Sequence, residues 1–419
     1  MTDPPQDAGS GRIGSLDLIR GIAVLGILAI NIGGLAGPGI ETVSPNALTP
    51  ASRAGEWTFA ASFLLFEGKM RALFTLLFGA SMVLFFERSE AGGRPGALLQ
   101  VRRLLWLALF GYLHYLLFWW GDILFLYALA GLIALPLWRL RPAMLAAIGL
   151  ALLMLWSLNG TVASLPAVAA EQRILAGEAS AEDIAADREL ARQTLELAAQ
   201  EMAGARAGFI DHVRMKLADD PLAPVKGAIE WMGETLPLIL IGMALYRSGF
   251  FSGAWSREAL WRTLLTGLGL GGAIALALLS WLMPQGFPLR AMSMVIRYGA
   301  GFEHLLMALA YAAGLVLATP RLLASRIGAR IEAAGKMAFS NYLGTTVLMT
   351  ALFNGWGLGL FDRYGPLEQV PFVLLGWVVM LAWSQWWLAR YRRGPLEWLW
   401  RSLAEGVMLP NRRQSNDRQ

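Results

Sequence analysis

The chain alternates long uncharged stretches with short polar ones. Leu145–Ser164 and Val370–Leu388 contain no charged residue. Each approaches the roughly 20 residues that a helix needs to cross about 30 Å of hydrocarbon. Runs of this kind predict ten helices, over 15–35, 70–87, 103–120, 122–138, 143–164, 231–248, 261–283, 303–319, 336–356 and 368–389. A shorter apolar run, Trp57–Phe66, either lies in the membrane interface or lengthens the second span. The fold class is therefore all-α: a polytopic membrane helix bundle of about ten transmembrane helices.

The connections give this bundle a direction. Arg88, Arg94, Arg102 and Arg103 lie between spans two and three, and Arg139 and Arg141 follow span four. Arg247, Arg257 and Arg262 follow span six; Arg321, Arg326, Arg330 and Lys336 follow span eight. Arg390, Arg392, Arg393 and Arg401 follow span ten. With ten spans every one of these falls on one side, and a miscount by one would scramble the pattern. The other side carries the tight Trp119–Asp122 hairpin and a long insertion, 165–230, with 12 acidic and 7 basic residues. Because Lys and Arg accumulate in cytoplasmic loops, both termini are expected in the cytoplasm of a bacterial-type inner membrane. The chain then divides into a cytoplasmic tail (1–14), helices one to five (15–164), a periplasmic helical insertion (165–230), helices six to ten (231–390) and a cytoplasmic tail (391–419). In the insertion, Ser180 with Asp183 three residues on reads as an N-cap. Ile184, Leu190, Leu195, Leu197 and Met202 among charges suggest an amphipathic helix that caps the outer mouth of the bundle, rests on the outer leaflet or simply connects the halves.

Composition removes several classes. The chain is 56% hydrophobic and 16% charged, against roughly 45–50% and about 25% in soluble domains. With no Cys, disulfides, thiolate nucleophiles and zinc–cysteine sites are excluded. The three His (His114, His212, His304) are too few for a conventional multi-histidine metal site, so no metal is expected. Met1–Gly11 lacks the basic region and cleavage site of a secretory signal, so the first apolar run is expected to be retained. The net charge of +5 reports topology, and no nucleic-acid partner is implied.

Charges inside membrane helices cost roughly 2.5–3.5 kcal/mol each on insertion scales, so those present are candidate sites. Asp17 and Arg20 are three apart on the first span and can neutralise each other. Asn31, eleven residues past Arg20, shares their face near the outer end. His114 lies near the outer end of span three, in Gly111-Tyr-Leu-His114 with Trp120-Gly-Asp122 following. Imidazole serves as a general base or acyl carrier near neutral pH, with Asp122 available to orient it; the alternative is a His that merely bonds helices together. Glu67 and Arg71 are spaced for a helical ion pair beside Lys69. Glu303-His304, and Glu230 with Glu234, open spans eight and six, where facing outer water is the plain expectation. Asn341-Tyr342 opens span nine after Lys336. Gly267-Leu-Gly269-Leu-Gly271-Gly272 lacks the flanking strand of a nucleotide loop and reads as close helix packing.

In these residues the chain resembles a known group. Arg12-Ile-x-x-Leu-Asp17-x-x-Arg20-Gly21 with Asn31, Lys69-x-x-Ala-Leu-Phe74-x-Leu-Leu-Phe78-Gly79, and His114 with Trp120-Gly-Asp122-Ile-Leu are similar to motifs of the YeiB family. So are Gly242-Met-Ala-Leu-Tyr246-Arg247-x-Gly249 and Gly335-Lys-Met-Ala-x-x-Asn341-Tyr342-Leu343. The likeness runs in order from about residue 12 to 400. The resemblance implies kinship with transmembrane acyltransferases, including acyltransferase-3 proteins and the heparan-glucosaminide acetyltransferase. Those move an acyl group from cytoplasmic acyl-CoA to a sugar hydroxyl or amine. Acyltransferase-3 proteins place a His eleven residues beyond the first-span Arg, where this chain has Asn31. The acetyltransferase has its His in the following loop, where residues 32–69 here contain none. Near position 345 or 346, where members often carry Gln, this chain has Thr345-Thr346.

Three functions compete. An acyltransferase would use His114, Asp122 and Asn31 in catalysis. Asp17, Arg20, Lys69, Arg71, Trp120, Glu303, His304, Asn341 and Tyr342 would be its substrate contacts. Its donor would be acyl-CoA, with no tightly bound cofactor, and its acceptor a glycan or lipid. A transporter or flippase of a small metabolite or lipid would use the same polar face as a pathway. A non-catalytic scaffold would use it only to lock helices. Membrane lipids are partners in every case. Small-residue faces such as Gly267/Gly271 allow pairing within the chain or in a homodimer.

Overall fold

A computed structural model of the protein describes residues 14–413. The helices are α1 (Gly14–Ala36), α2 (Arg53–Leu65), α3 (Lys69–Ala91), α4 (Gly96–Leu117), α5 (Leu124–Ala134), α6 (Pro142–Ala176), α7 (Ala181–Arg206), α8 (Phe209–Asp219) and α9 (Ala223–Arg247). They continue as α10 (Arg257–Thr266), α11 (Gly272–Leu282), α12 (Leu289–Met294), α13 (Gly301–Leu323), α14 (Arg326–Lys336), α15 (Ala338–Phe353), α16 (Val370–Leu388) and α17 (Pro395–Glu405). The protein is an all-α, multi-pass membrane bundle. Eight segments among the described residues are long and apolar enough to cross a bilayer. They correspond to expected spans one, two, three, five, six, seven, eight and ten. The other two are shorter: α5 with its 3₁₀ extension to Leu137, and α15, which is 16 residues long.

Close crossings hold the bundle together, and glycine permits them. A methyl group at Gly79 of α3 would overlap the carbonyl of Ile239 on α9, and one at Gly242 of α9 would overlap that of Leu76 on α3. Backbones therefore meet directly, the packing mode favoured where lipid gives helices no hydrophobic incentive to associate. Gly21 meets the carbonyl of Ile331 on α14, and Gly335 meets that of Asp17 on α1. The glycines between α10 and α11 form a π-helical turn. Gly267 and Gly271 abut Leu306 and Met307 of α13, so their small faces are spent inside the chain.

Several boundaries move. α2 does not run on into α3 as one unbroken helix: the chain turns through Phe66–Gly68, with Gly68 at φ +69°. α6 runs 35 residues without interruption, so the insertion begins as helix and leaves it only after Ala176. Ser180 and Asp183 form the expected cap reciprocally, at 3.1 and 3.0 Å. α7 and α8 then lie over one end of the bundle. There the Gly39 amide donates to Glu201 at 2.6 Å and that of Gly355 to the Ala205 carbonyl at 2.7 Å. The insertion thus packs on the bundle through these contacts. The segment after 390 is not a free tail. Its α17 packs against α4, with Trp400 Nε1 donating to the Arg103 carbonyl at 2.8 Å, and Arg392 donates its amide to the Asn411 carbonyl at 2.7 Å. Residues 1–13, including Arg12, lie outside the described residues.

Candidate functional site

His114 sits in the last turn of α4, buried. A methyl at Gly111, one turn earlier, would overlap the Phe125 amide nitrogen, so α4 and the start of α5 touch there. This contact brings the Trp119–Asp122 turn back over α4. Asp122 Oδ1 then lies 2.9 Å from His114 Nδ1, and Asp122 Oδ2 accepts the Phe125 amide at 2.8 Å. The carboxylate therefore selects the tautomer with hydrogen on Nδ1. That leaves Nε2, buried and without a hydrogen-bond partner among the described residues, as the basic nitrogen. The ring meets Tyr342 and Trp119 edge-on, at 5.2 and 6.4 Å between centroids.

Those two aromatic side chains face separate cavities. The one bordered by Tyr342, about 220 Å³, runs among α1, α3, α4, α5, α15 and α17. Arg20, Arg103 and Lys336 line one end, and Phe74, Phe78, Leu107, Ile123 and Tyr127 line its depth. Arg20 is held by Asp17 at 2.7 Å, as the spacing foretold, and by Ser81 at 2.9 Å. The Arg103 guanidinium lies between the rings of Phe85 and Trp400. The cavity bordered by Trp119, about 230 Å³, lies beneath the α7–α8 cap, with Trp120, Glu201, His212, Lys216 and Asp219 around it. Burial pushes Lys216 down to about 7, while its Nζ donates to the Tyr115 carbonyl at 2.6 Å. Burial, with the Lys216 charge behind it, lowers His212, and burial raises Glu201 against the opposing hydrogen bond from Gly39. Trp119 Nε1 donates to the Gly34 carbonyl at 2.8 Å, and Trp120 covers Gly34 and Gly39. His114 thus lines neither cavity and stands in the wall between them.

A second group of expected residues assembles elsewhere. Lys69, at the start of α3, pairs with Glu303 of α13 at 3.0 Å, both with no exposed side-chain surface. Arg71 pairs with Glu234 of α9 at 2.8 Å rather than with Glu67. Gly68 breaks the helix between Glu67 and Arg71, so the one-turn spacing has no helix to act through. His304 lies between the two pairs, Nδ1 3.0 Å from Glu234 and Nε2 3.8 Å from Glu303. Glu303, His304 and Glu234 are buried, against the expectation that they face outer water. Of these, only Glu230 takes the surface role, pairing with Arg297. Glu234 falls inside the expected span 231–248, and a carboxylate there already asked for a buried partner.

The remaining candidates separate. Asn341 is buried and spent: its Nδ2 donates to the Ala334 carbonyl at 3.0 Å and to Ser384 at 2.9 Å, while Trp383 donates to its Oδ1 at 2.7 Å. Asn31 is half-buried on α1 and has no hydrogen bond to His114 or Asp122 among the described residues. Arg103, Gln100, Trp119 and Glu397 were not singled out from the sequence as site residues. Arg103 carried only a topological reading, because a basic residue beside a span first reports sidedness. Among the described residues, no group of three His, Asp or Glu side chains is arranged to hold a metal ion.

Comparison with known proteins places this architecture. A family model described as a protein of unknown function, DUF418, matches residues 245–407. The chain is 30% identical over 392 residues to the uncharacterized protein YeiB of Escherichia coli (strain K12), covering 93% of this chain and 95% of that one. The chain belongs to the YeiB family. Within reach of this family lies also the uncharacterized protein YxaH of Bacillus subtilis (strain 168), 29% identical over 93% of this chain and 94% of that one. An uncharacterized 39.9 kDa protein in the amylase 3' region of Bacillus acidopullulyticus is 26% identical over 95% of each. No solved structure matches the chain. The YeiB motifs quoted above now have physical roles. Gly21 and Gly335 are the α1–α14 crossing, Gly79 and Gly242 the α3–α9 crossing, and His114 with Asp122 the dyad.

Proposed function

We propose that this YeiB-family chain is an inner-membrane acyltransferase, with both termini in the cytoplasm, that passes an acyl group through the wall holding His114. The single observation that carries the reading is a His–Asp dyad with an unpartnered Nε2, set between a basic-ended cavity and a chamber under the cap. Arg20, Arg103 and Lys336 would receive the phosphates of acyl-CoA, since charge-assisted bonds to phosphate are strong. The aromatic depth would take the apolar arm. An acceptor hydroxyl or amine, on a glycan or lipid, would enter beneath α7–α8.

In the step itself, His114 Nε2 removes the acceptor proton as the acceptor oxygen or nitrogen attacks the thioester carbonyl. The new acyl bond forms, the carbon–sulfur bond breaks, and the departing thiolate takes the proton back from Nε2. Asp122 holds the ring and stabilises the imidazolium formed on the way, the role a buried carboxylate plays in hydrolytic triads. The Tyr342 ring must turn aside for the thioester to reach Nε2. Asn31 is left to a supporting place on the Arg20 face of α1. Purified protein in nanodiscs, given radiolabelled acetyl- and palmitoyl-CoA, tests the reading. Acyl-CoA hydrolysis or transfer is expected in the wild type and not in His114→Ala. Equal rates in both would remove His114 from the chemistry.

A further inference from the structure

The charge cluster at the α2–α3 corner has one place left open. Arg71 and Lys69 neutralise Glu234 and Glu303 respectively, at 2.8 and 3.0 Å. His304 bridges the two carboxylates, and its Nδ1 hydrogen goes to Glu234 at 3.0 Å. Its Nε2 then confronts Glu303 Oε2 across 3.8 Å. Nε2 has no hydrogen-bond partner among the described residues, and of the Glu303 oxygens Oε2 is held by Lys69 Nζ while Oε1 has none. An unprotonated Nε2 faces a carboxylate oxygen inside protein with no donor between them, and a buried acceptor left unsatisfied is destabilising.

We propose that His304 is the binding site for one exchangeable proton, taken from water in the cavity that abuts this corner. With that proton on Nε2 the cluster alternates in charge: Arg71, Glu234, His304, Glu303, Lys69. Each neighbour is then of opposite sign, and Nε2 becomes a donor aimed at Glu303. Delivery is short. The cavity, about 720 Å³ between α1, α2 and α16, is bordered by Phe63 and Glu67. Lys69 Nζ donates to the Phe63 carbonyl at 2.8 Å, while Glu67 lies near enough to act on both Lys69 and Glu303. The facing groups are thus Lys69 and Arg71 of α3, Glu67 at the corner, Glu234 of α9, and Glu303 and Tyr311 of α13. Glu230, one turn from Glu234, is occupied by Arg297. Gly68 is what lets the imidazole in: a side chain there would overlap Nε2, and its φ of +69° suits glycine.

The test is direct because the chain has three His. Ring-¹⁵N-labelled protein in nanodiscs is titrated between about pH 5 and pH 9, the range over which imidazole ordinarily changes charge. His304→Gln identifies the signal; if that variant does not fold, His114→Gln and His212→Gln identify it by elimination. The His304 ring is expected to pass reversibly from two ring protons to one. In Glu303→Gln its midpoint should fall by about one pH unit, because a facing negative charge is gone. A ring that keeps one protonation state throughout overturns the site, and so does a midpoint unmoved in Glu303→Gln. Neither outcome depends on acyl transfer.

Discussion

Asp122 holds His114 from one side only: its first oxygen meets Nδ1 at 2.9 Å, and its second is fixed by the Phe125 amide at 2.8 Å. The opposite nitrogen is therefore the one left without a partner among the described residues. Under the proposed acyl transfer, Asp122→Asn is expected to fold and to lose about 10²–10⁴-fold in rate, the usual range for positioned acid–base catalysis. Single-turnover kinetics with KM measured alongside kcat is the check. A loss confined to KM would show that Asp122 serves binding instead.

The Lys69–Glu303 pair yields a stability prediction. Lys69→Met leaves the Glu303 charge buried without its ion-pair partner, and breaking such a pair destabilises by roughly 3–5 kcal/mol. Lys69→Met/Glu303→Leu removes both charges and should regain most of that loss. Equilibrium unfolding in detergent separates the two; a double variant as weak as the single one would mean that packing, not charge, holds this corner.

The α3–α9 crossing makes glycine identity decisive at one place and irrelevant at another. Gly242→Val forces a side chain onto the Leu76 carbonyl, and overpacking of this kind costs about 1–3 kcal/mol. Gly269→Ala meets nothing within 4 Å and should be neutral or gain up to about 1 kcal/mol from helix propensity. Thermal denaturation of both variants against the wild type reads the contrast.

The cap should respond to pH through Lys216. Its ammonium is pushed down to about 7 in the closed chamber, against 10.5 for a free lysine. Between those values an opened cap binds more protons than a closed one, so closure strengthens as pH rises through that interval. Below about pH 7 the full cost of burying the charge is already present, and no further change from Lys216 follows. Hydrogen exchange in α8, corrected for its intrinsic pH dependence, should slow between about pH 7 and pH 9 in the wild type. Lys216→Met should abolish that trend.

How much of this was readable from residues alone follows from what carries each feature. Long apolar runs and the Asp17–Arg20 spacing are local, and the helices and that ion pair appear where the pattern put them. The Ser180–Asp183 cap is local too. Arg71 shows the limit: its one-turn neighbour Glu67 looked like its partner, yet the turn at Gly68 separates them and hands Arg71 to Glu234, far along the chain. The sequence offers Asp122 as a carboxylate that could orient His114, but the two cavities beside them draw on helices from α1 to α17. Arg103 illustrates the same point, since its place between Phe85 and Trp400 depends on α17 folding back. Such positions are properties of packing, which sequence spacing does not encode.

The length of α6 has a mechanical consequence. Its 35 residues extend about 52 Å at the ordinary helical rise, well beyond the roughly 30 Å of hydrocarbon. The exposed apolar side chains from Met144 to Leu165 mark the portion gripped by lipid. The rest, from Pro166 onward, stands clear as a mast that carries the cap. Its tilt is set by packing against neighbouring helices, so the roof over Trp119 takes its position from those contacts. Glu171 is the stay on that mast, its carboxylate gripping the Arg290 and Ala291 amides at 2.8 Å. Through this stay the base of the cap is tied to α12, at a distance from every residue that lines the chamber.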